Sequence, residues 1–259
     1  MATVTTRRIL ILGASNVTLA FPLLASACLR PRQVSTELFA AHGHGRSLCA
    51  RSFVLNRGLP SIQRCGIWDI LKSRPPVDES WAFVTDVGND LIYGFEVEEI
   101  LQRLNELFEQ VAGLAMPLTF VRLPVERALQ LTERRYRVIR QMLFPGKTIP
   151  WSTLSRRMID LDARAAQAAA AHQAVVLTPR LNWYGIDPIH IRRSRRIAAW
   201  QEITGTANLS APLEVRPVPL RQAFACWRLA PWRRSYGRQV SVQTQPAWQD
   251  LNGNSIWLF

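Results

Sequence analysis

The stretch "RILILGASN", residues 8–16, decides the fold. Ile9 to Leu12 form an unbroken apolar run closed by Gly13, which reads as a short strand buried on both faces. A polar turn, Ala14-Ser15-Asn16, follows at once and leads into an apolar segment, 18–29, that reads as a helix stopped before Pro31. Strand, tight turn and helix make the first half of a βαβ unit. A serine at such a turn has two uses. It caps the helix, or it holds a hydroxyl at the sheet edge where it can act as a nucleophile.

Outward from this stretch the same grammar repeats. Residues 35–43 ("STELFAAHG"), 81–88 ("WAFVTDVG"), 117–124 ("PLTFVRLP") and 174–180 ("AVVLTPR") read as four further strands. Between them lie helical patterns at 61–76, 96–112, 125–143 and 151–172, and another at 191–203 with a basic outer face. The clearest is 96–112, where Val97, Ile100, Leu101, Leu104, Leu107, Phe108 and Val111 form one apolar stripe. Strands separated by helices predict a three-layer α/β/α domain over 1–205 with a five-stranded parallel sheet. From 206 the pattern changes to a basic extension, 206–259, carrying Trp227, Trp232, Trp248 and Trp257. Its last part reads as a hairpin turning at Asn252-Gly253, and the extension is expected to pack on the core.

Composition narrows the function classes. The chain has 259 residues, 48% hydrophobic, enough for a sizeable core and too apolar for disorder. Lys and Arg number 32 against 19 Asp and Glu, for a net charge of +13, with lysine only at 72 and 147. Such a surface favours anionic substrates or surfaces, yet no compact basic run with interleaved aromatics marks a nucleic-acid face before the extension. Cys28, Cys49, Cys65 and Cys226 show no C-x-x-C spacing and read as reduced thiols of a cytoplasmic protein. No uninterrupted apolar stretch of about twenty residues suggests a membrane span. The N-terminal segment superficially resembles a secretory signal, but Ser15, Asn16 and Thr18 interrupt its apolar run.

In a parallel sheet every strand end faces one edge, where ligands bind. Four of these ends carry polar or glycine-rich segments: Ser15, then "HGHGRS" (42–47), "GNDLIYG" (88–94) and "DPIHI" (187–191). They offer a nucleophile, a histidine with a carboxylate three residues before it, and hydrogen-bond donors on two further loops. That set fits acyl transfer. His42 and His44 lack a nearby third ligand and make a weak metal pair, so no metal or cofactor is expected.

The four segments resemble, in order and spacing, the blocks of the SGNH (GDSL-type) hydrolase superfamily. Gly13-Ala14-Ser15-Asn16 corresponds to the nucleophile block, Gly45-Arg46-Ser47 to the second, Val87-Gly88-Asn89-Asp90 to the third, and Asp187-Pro188-Ile189-His190 to the D-x-x-H block. The resemblance covers about residues 7–204. It implies a flavodoxin-like fold and a serine hydrolase acting on a carboxylic, acetyl or thio ester through a covalent acyl-enzyme. Ser15 is then the nucleophile, His190 the base and Asp187 its orienting carboxylate, with Ser15, Gly45 and Asn89 forming the oxyanion hole.

Two departures stand out: Ala14 replaces the family's usual Asp, and Val87 its usual Gly. The first removes a carboxylate beside the nucleophile, and the second adds bulk beneath the Asn89 loop. Arg46, Trp183 and Tyr184 lie near motif residues and are candidates for substrate binding. The loop after Tyr93 and the segment 144–151 are candidate lids. The competing readings are a catalytically silent binding protein with this fold, and a basic protein docking on an anionic lipid or polymer surface through its C-terminal extension.

Overall fold

The computed structural model describes residues 5–30, 34–54, 56–146 and 148–259. Pro31, the expected helix stop, and Lys147, inside a candidate lid, lie outside the described residues. The first half runs β1 (Thr5–Leu12), α1 (Ser15–Leu29), β2 (Val34–Ala41), β3 (Ser52–Val54), β4 (Arg57–Leu59), α2 (Ile67–Ser73), β5 (Glu79–Val84), α3 (Asn89–Tyr93) and α4 (Val97–Gly113). The second half runs β6 (Leu118–Val121), α5 (Val125–Ala128), α6 (Glu133–Leu143), α7 (Trp151–Ala171), β7 (Val175–Leu177), α8 (Arg196–Thr204), α9 (Leu220–Arg228), β8 (Arg233–Tyr236), β9 (Gln239–Val242), β10 (Trp248–Gln249) and β11 (Ser255–Leu258).

The main sheet has seven strands, not five, in the order β10-β11-β2-β1-β5-β6-β7. All pairings in it are parallel except β10 with β11. The two additional strands come from the C-terminal extension, whose chain reverses around Gly253 (φ +83°) and lays β11 beside β2. Sequence reading placed this segment against the core but did not add it to the sheet. Its pairing partner, the free edge of β2, is invisible without the topology.

Alternation along β1 builds two cores. Leu10 and Leu12 face one way, into a layer with α2, α4 and α7 that includes Phe39, Phe120 and Trp257. Ile9 and Ile11 face the other, against α1 and α8 with Phe21, Phe83 and Trp200. The whole stripe on α4, from Val97 to Val111, is buried as its spacing predicts; each such side chain contributes about 1.5–3 kcal/mol of transfer free energy. At the amino end of the sheet, buried Arg7 and Arg8 pair with Glu79 (2.7 Å) and Glu37 (2.6 Å) on the flanking strands. A buried charge needs such a partner, and the pairs fix β1 between β2 and β5 at the end away from the strand-end loops.

Several element limits differ from the sequence reading, each for a local reason. The 61–76 helix is broken, because Gly66 adopts φ +84° where a Cβ would lie 2.8 Å from Trp232. The 125–143 helix is two pieces, with the Thr132 side chain capping the second by accepting from the Arg135 N–H. Helix α1 begins at Ser15 rather than 18, and its cap comes from outside the segment, as described below. A second sheet, β3-β4-β8-β9, was not foreseen at all; its strands are only three or four residues long, too short for either face to carry a readable pattern.

Gly13 ends β1 in a space that admits no side chain: a Cβ there would lie 2.5 Å from Val17 Cγ2 and 2.8 Å from Thr85 Cγ2. Gly13→Ala is expected to destabilise the fold by about 1–3 kcal/mol through overpacking. Chemical denaturation of the two proteins measures it, and equal midpoints would remove this role for Gly13.

Candidate active site

The loops after β1, β2 and β5 emerge side by side because those strands are neighbours in the sheet, with β1 in the centre. This is the carboxyl edge, at the point where the chain switches from one side of β1 to the other. Ser15 opens α1 there, 8% exposed. Its Oγ lies 2.8 Å from His190 Nε2, and His190 Nδ1 lies 2.5 Å from Asp187 Oδ2. Asp187 Oδ1 accepts the N–H groups of Ile189 (3.0 Å) and His190 (3.3 Å), so the tight turn carrying the histidine is built around its own carboxylate. A bridge between Tyr184 and Ile191 closes the base of this loop.

Burial by itself lowers the pKa of His190. The hydrogen bond and charge of Asp187, helped by the charge of Asp86, outweigh it and leave the imidazole above its ordinary value. Burial raises Asp187, but its bond to His190 prevails and the carboxyl falls below its usual range. The pair is therefore arranged to favour a proton on the imidazole, which is what a base needs to stabilise after taking one.

Asp86 was not singled out from the sequence. It follows β5 with φ +62°, an uncommon conformation that Asp tolerates better than most residues. Its Oδ2 accepts the N–H of Ala14 (3.0 Å) and of Asn16 (2.9 Å), and its Oδ1 accepts Asn16 Nδ2 (2.7 Å). This carboxylate caps α1 from a neighbouring loop, and it explains why the helix starts three residues early. Asn16 in turn donates to Ile189 O (2.9 Å) and accepts from Ile191 N–H (2.8 Å). One chain of hydrogen bonds thus joins the β5 loop, the serine turn and the histidine loop. The only signal in sequence was an Asp two residues before Gly88, indistinguishable from an ordinary turn residue.

The candidate oxyanion donors meet at the same place. The Ser15 N–H sits between the two N–H groups taken by Asp86 and has no acceptor among the described residues. Gly45, at φ +60°, lines the groove beside Ser15, and a Cβ there would lie 2.8 Å from Tyr93 Oη and 2.9 Å from Val54 Cγ2. Tyr93 holds this turn by donating its hydroxyl to Gly45 O. Asn89 Nδ2 spends one hydrogen on Arg46 O (3.2 Å) and has a second to offer. Its neighbour Asp90 is buried and anchors the 47–49 turn by accepting from Leu48 N–H (2.9 Å) and the Ser47 hydroxyl.

Ser15 lies between two spaces. One is a mainly apolar cavity of about 110 Å³ bounded by Val87, Leu123, Ala128, Leu131, Leu154 and Met158, with Tyr184 on its wall. The other is a wider groove of about 370 Å³ on the His190 side, lined by His44, Gly45, Phe53, Val54 and Tyr93. Phe144 borders both. Of the three residues expected at the substrate, only Tyr184 lines either space. Arg46 is fully buried, its guanidinium donating to the backbone oxygens of His42, Pro60 and Phe259. Trp183 is packed in the core beside α1 and α8. Both were placed at the site by nearness in sequence to a motif, and both point away from it.

His42 is buried against Phe21 and bonded to the Thr18 hydroxyl at 3.0 Å, and burial, with Arg46 and Arg57 close by, lowers its pKa to about 3. It is a neutral core histidine rather than a ligand. Among the described residues no three His, Cys, Asp or Glu side chains are grouped to hold a metal ion, and no helix is long and apolar enough to cross a membrane.

Comparison with known proteins gives likeness in structure without likeness in sequence. No family profile and no curated protein matches the chain. A solved structure at 11% identity, covering 74% of this chain and 92% of its own, aligns with a TM-score of 0.50. The psychrotrophic esterase EstA from Pseudoalteromonas sp., inhibited by monoethylphosphonate, aligns at 14% identity over 75% of this chain and 93% of its own, with a TM-score of 0.46. A variant of the esterase AlinE4 aligns at 15% identity over 86% and 92%, with a TM-score of 0.44. Likeness at this level concerns the fold alone.

Proposed function

We propose that the chain is an SGNH-type serine esterase. The observation that carries this is the relay Asp187–His190–Ser15, with links of 2.5 and 2.8 Å, the second joining residues 175 positions apart. His190 Nε2 takes the proton of Ser15 Oγ as the oxygen attacks the ester carbonyl carbon. The carbonyl becomes an oxyanion held by the N–H groups of Ser15 and Gly45 and the amide of Asn89. His190 then gives its proton to the departing alcohol, leaving an acyl group on Ser15. Water, deprotonated by the same histidine, releases the carboxylic acid and restores the serine.

The two spaces beside Ser15 support a division of the substrate between them. The smaller, mainly apolar cavity suits the acyl group, and the wider groove suits the alcohol. An apolar cavity of about 150 Å³ accommodates benzene, so about 110 Å³ suits an acyl group of a few carbons. The four unpaired cysteines fit a reducing cytoplasm.

A fluorophosphonate probe tests the nucleophile directly. Peptide mapping is expected to find the adduct on Ser15 and none in Ser15→Ala; a folded wild-type protein that takes no label overturns the reading. With p-nitrophenyl esters, kcat/KM is expected to peak at short acyl chains and to fall about tenfold or more by dodecanoate, each misfitted methylene costing on the order of 1 kcal/mol. A flat profile would remove the acyl assignment of the cavity.

A further inference from the structure

The C-terminal extension builds a second cavity. Pairing of β4 with β8, in the register Arg57↔Tyr236 and Gly58↔Ser235, joins the hairpin after the second strand-end loop to the extension. The approach is close, since a Cβ on Gly58 would lie 2.4 Å from Ser235 Oγ. Between them opens a surface cleft of about 460 Å³, lined by the exposed Arg51, Arg64 and Arg233 and the half-buried Arg234, with Ser61 and Ser235.

The charge in this cavity is unbalanced. No carboxylate lines it, and none of its four arginines has an ion-pair partner among the described residues. Two of the guanidiniums are nonetheless held in place. Arg51 lies over the Phe53 ring at 4.8 Å and donates to Ser235 Oγ at 2.5 Å, and Arg234 lies over the Tyr236 ring at 5.5 Å. Arg234 Nε is buried with no hydrogen-bond partner among the described residues. Arg57, on the same hairpin, is close enough to Arg234 for their charges to repel. Clustered like charges, two of them held against aromatic rings, give this cleft a positive potential that favours an anion. Planar guanidinium forks match the oxygens of tetrahedral oxyanions in particular.

We propose that this cavity binds a phosphate- or sulfate-type oxyanion. The site stands independently of the ester reading, though the two adjoin: Phe53, on which Arg51 stacks, also lines the groove that leads to Ser15. The oxyanion is either free in solution or carried on the alcohol part of the substrate.

Calorimetric titration of the full chain with inorganic phosphate and with sulfate tests the site. Saturable one-to-one binding is expected, weakened about tenfold or more in Arg64→Ala/Arg233→Ala, as loss of charged hydrogen bonds requires. The control is Arg221→Ala/Arg228→Ala, which removes the same charge from equally exposed positions outside the cleft, on α9, and should bind like the parent. No saturation, or equal weakening in both double variants, overturns the proposal, the latter by reducing it to net charge. The source is separated kinetically by comparing a neutral butyrate ester with a butyrate ester of glycerol phosphate. A substrate-borne anion gives the phosphorylated ester an advantage that disappears in Arg64→Ala/Arg233→Ala. A free anion leaves the two esters alike while phosphate still binds. Failure of the ester reading would appear as no turnover of either ester with phosphate binding intact.

Discussion

His190→Ala should lower kcat on a p-nitrophenyl ester by about 10⁴-fold or more, with KM little changed. The reason is geometric. Among the described residues Nε2 of His190 is the one base bonded to Ser15 Oγ, at 2.8 Å, and a serine hydroxyl is a poor nucleophile until its proton has somewhere to go. The donors around the oxyanion survive the substitution, so the residual rate should stay above that of water. A loss of less than about tenfold would sink the triad, since no part of the mechanism tolerates an absent base. The wild-type pH profile supplies a second check. His190 must be unprotonated to accept the proton, so kcat/KM rises with pH and is lost as pH falls through the histidine's pKa. Asp187 and Asp86 together raise that pKa against the opposing effect of burial, which places the midpoint above the ordinary histidine value of about 6.5. Asp187→Asn should move it downward.

How far the sequence carried this can be judged residue by residue. The alternation of strands and helices was legible because buried parallel strands are short apolar runs, and β1, β2, β5 and β6 are that. Of the candidate site, Ser15, Gly45 and Asn89 were legible as small or polar residues in the loops after β1, β2 and β5, and Asp187 and His190 by their three-residue spacing; the roles of Gly45 and Asn89 came from the resemblance. What escaped depends on distance in space. The β11 pairing, the β3-β4-β8-β9 sheet and the arginine cavity join segments far apart in the chain, with strands too short to carry a pattern. The apolar cavity escaped because Ala128, Leu154 and Met158 look like any helix core until the helices are placed. Arg46 misled for the opposite reason: adjacency to Gly45 put it at the site, while burial turned its guanidinium toward Phe259.

Asp86 is the residue whose removal should matter most outside the triad. The position before the nucleophile is Ala14, so the serine turn has no carboxylate of its own. Asp86 supplies one from the next loop, accepting three donors: the N–H groups of Ala14 and Asn16 and the Asn16 amide. Asp86→Ala leaves both N–H groups without a partner and the Asn16 amide with Ile189 O alone, which loosens the Asn16 link to the histidine loop. Misplacement of a reacting group by about 1 Å costs on the order of 10²-fold in rate, and kcat should fall by about that much. Asp86→Asn separates position from charge. Asn also tolerates φ +62° and keeps one oxygen for the two N–H groups, but it turns an amide toward Asn16 Nδ2 and removes the negative charge. Since that charge helps hold the His190 pKa up, Asp86→Asn should shift the acid limb of kcat/KM to lower pH as well as slowing turnover. A residue that only stabilised the fold would lower the melting temperature and leave the midpoint of the pH profile in place. Unchanged kcat with an unchanged midpoint would return Asp86 to the ranks of ordinary turn residues.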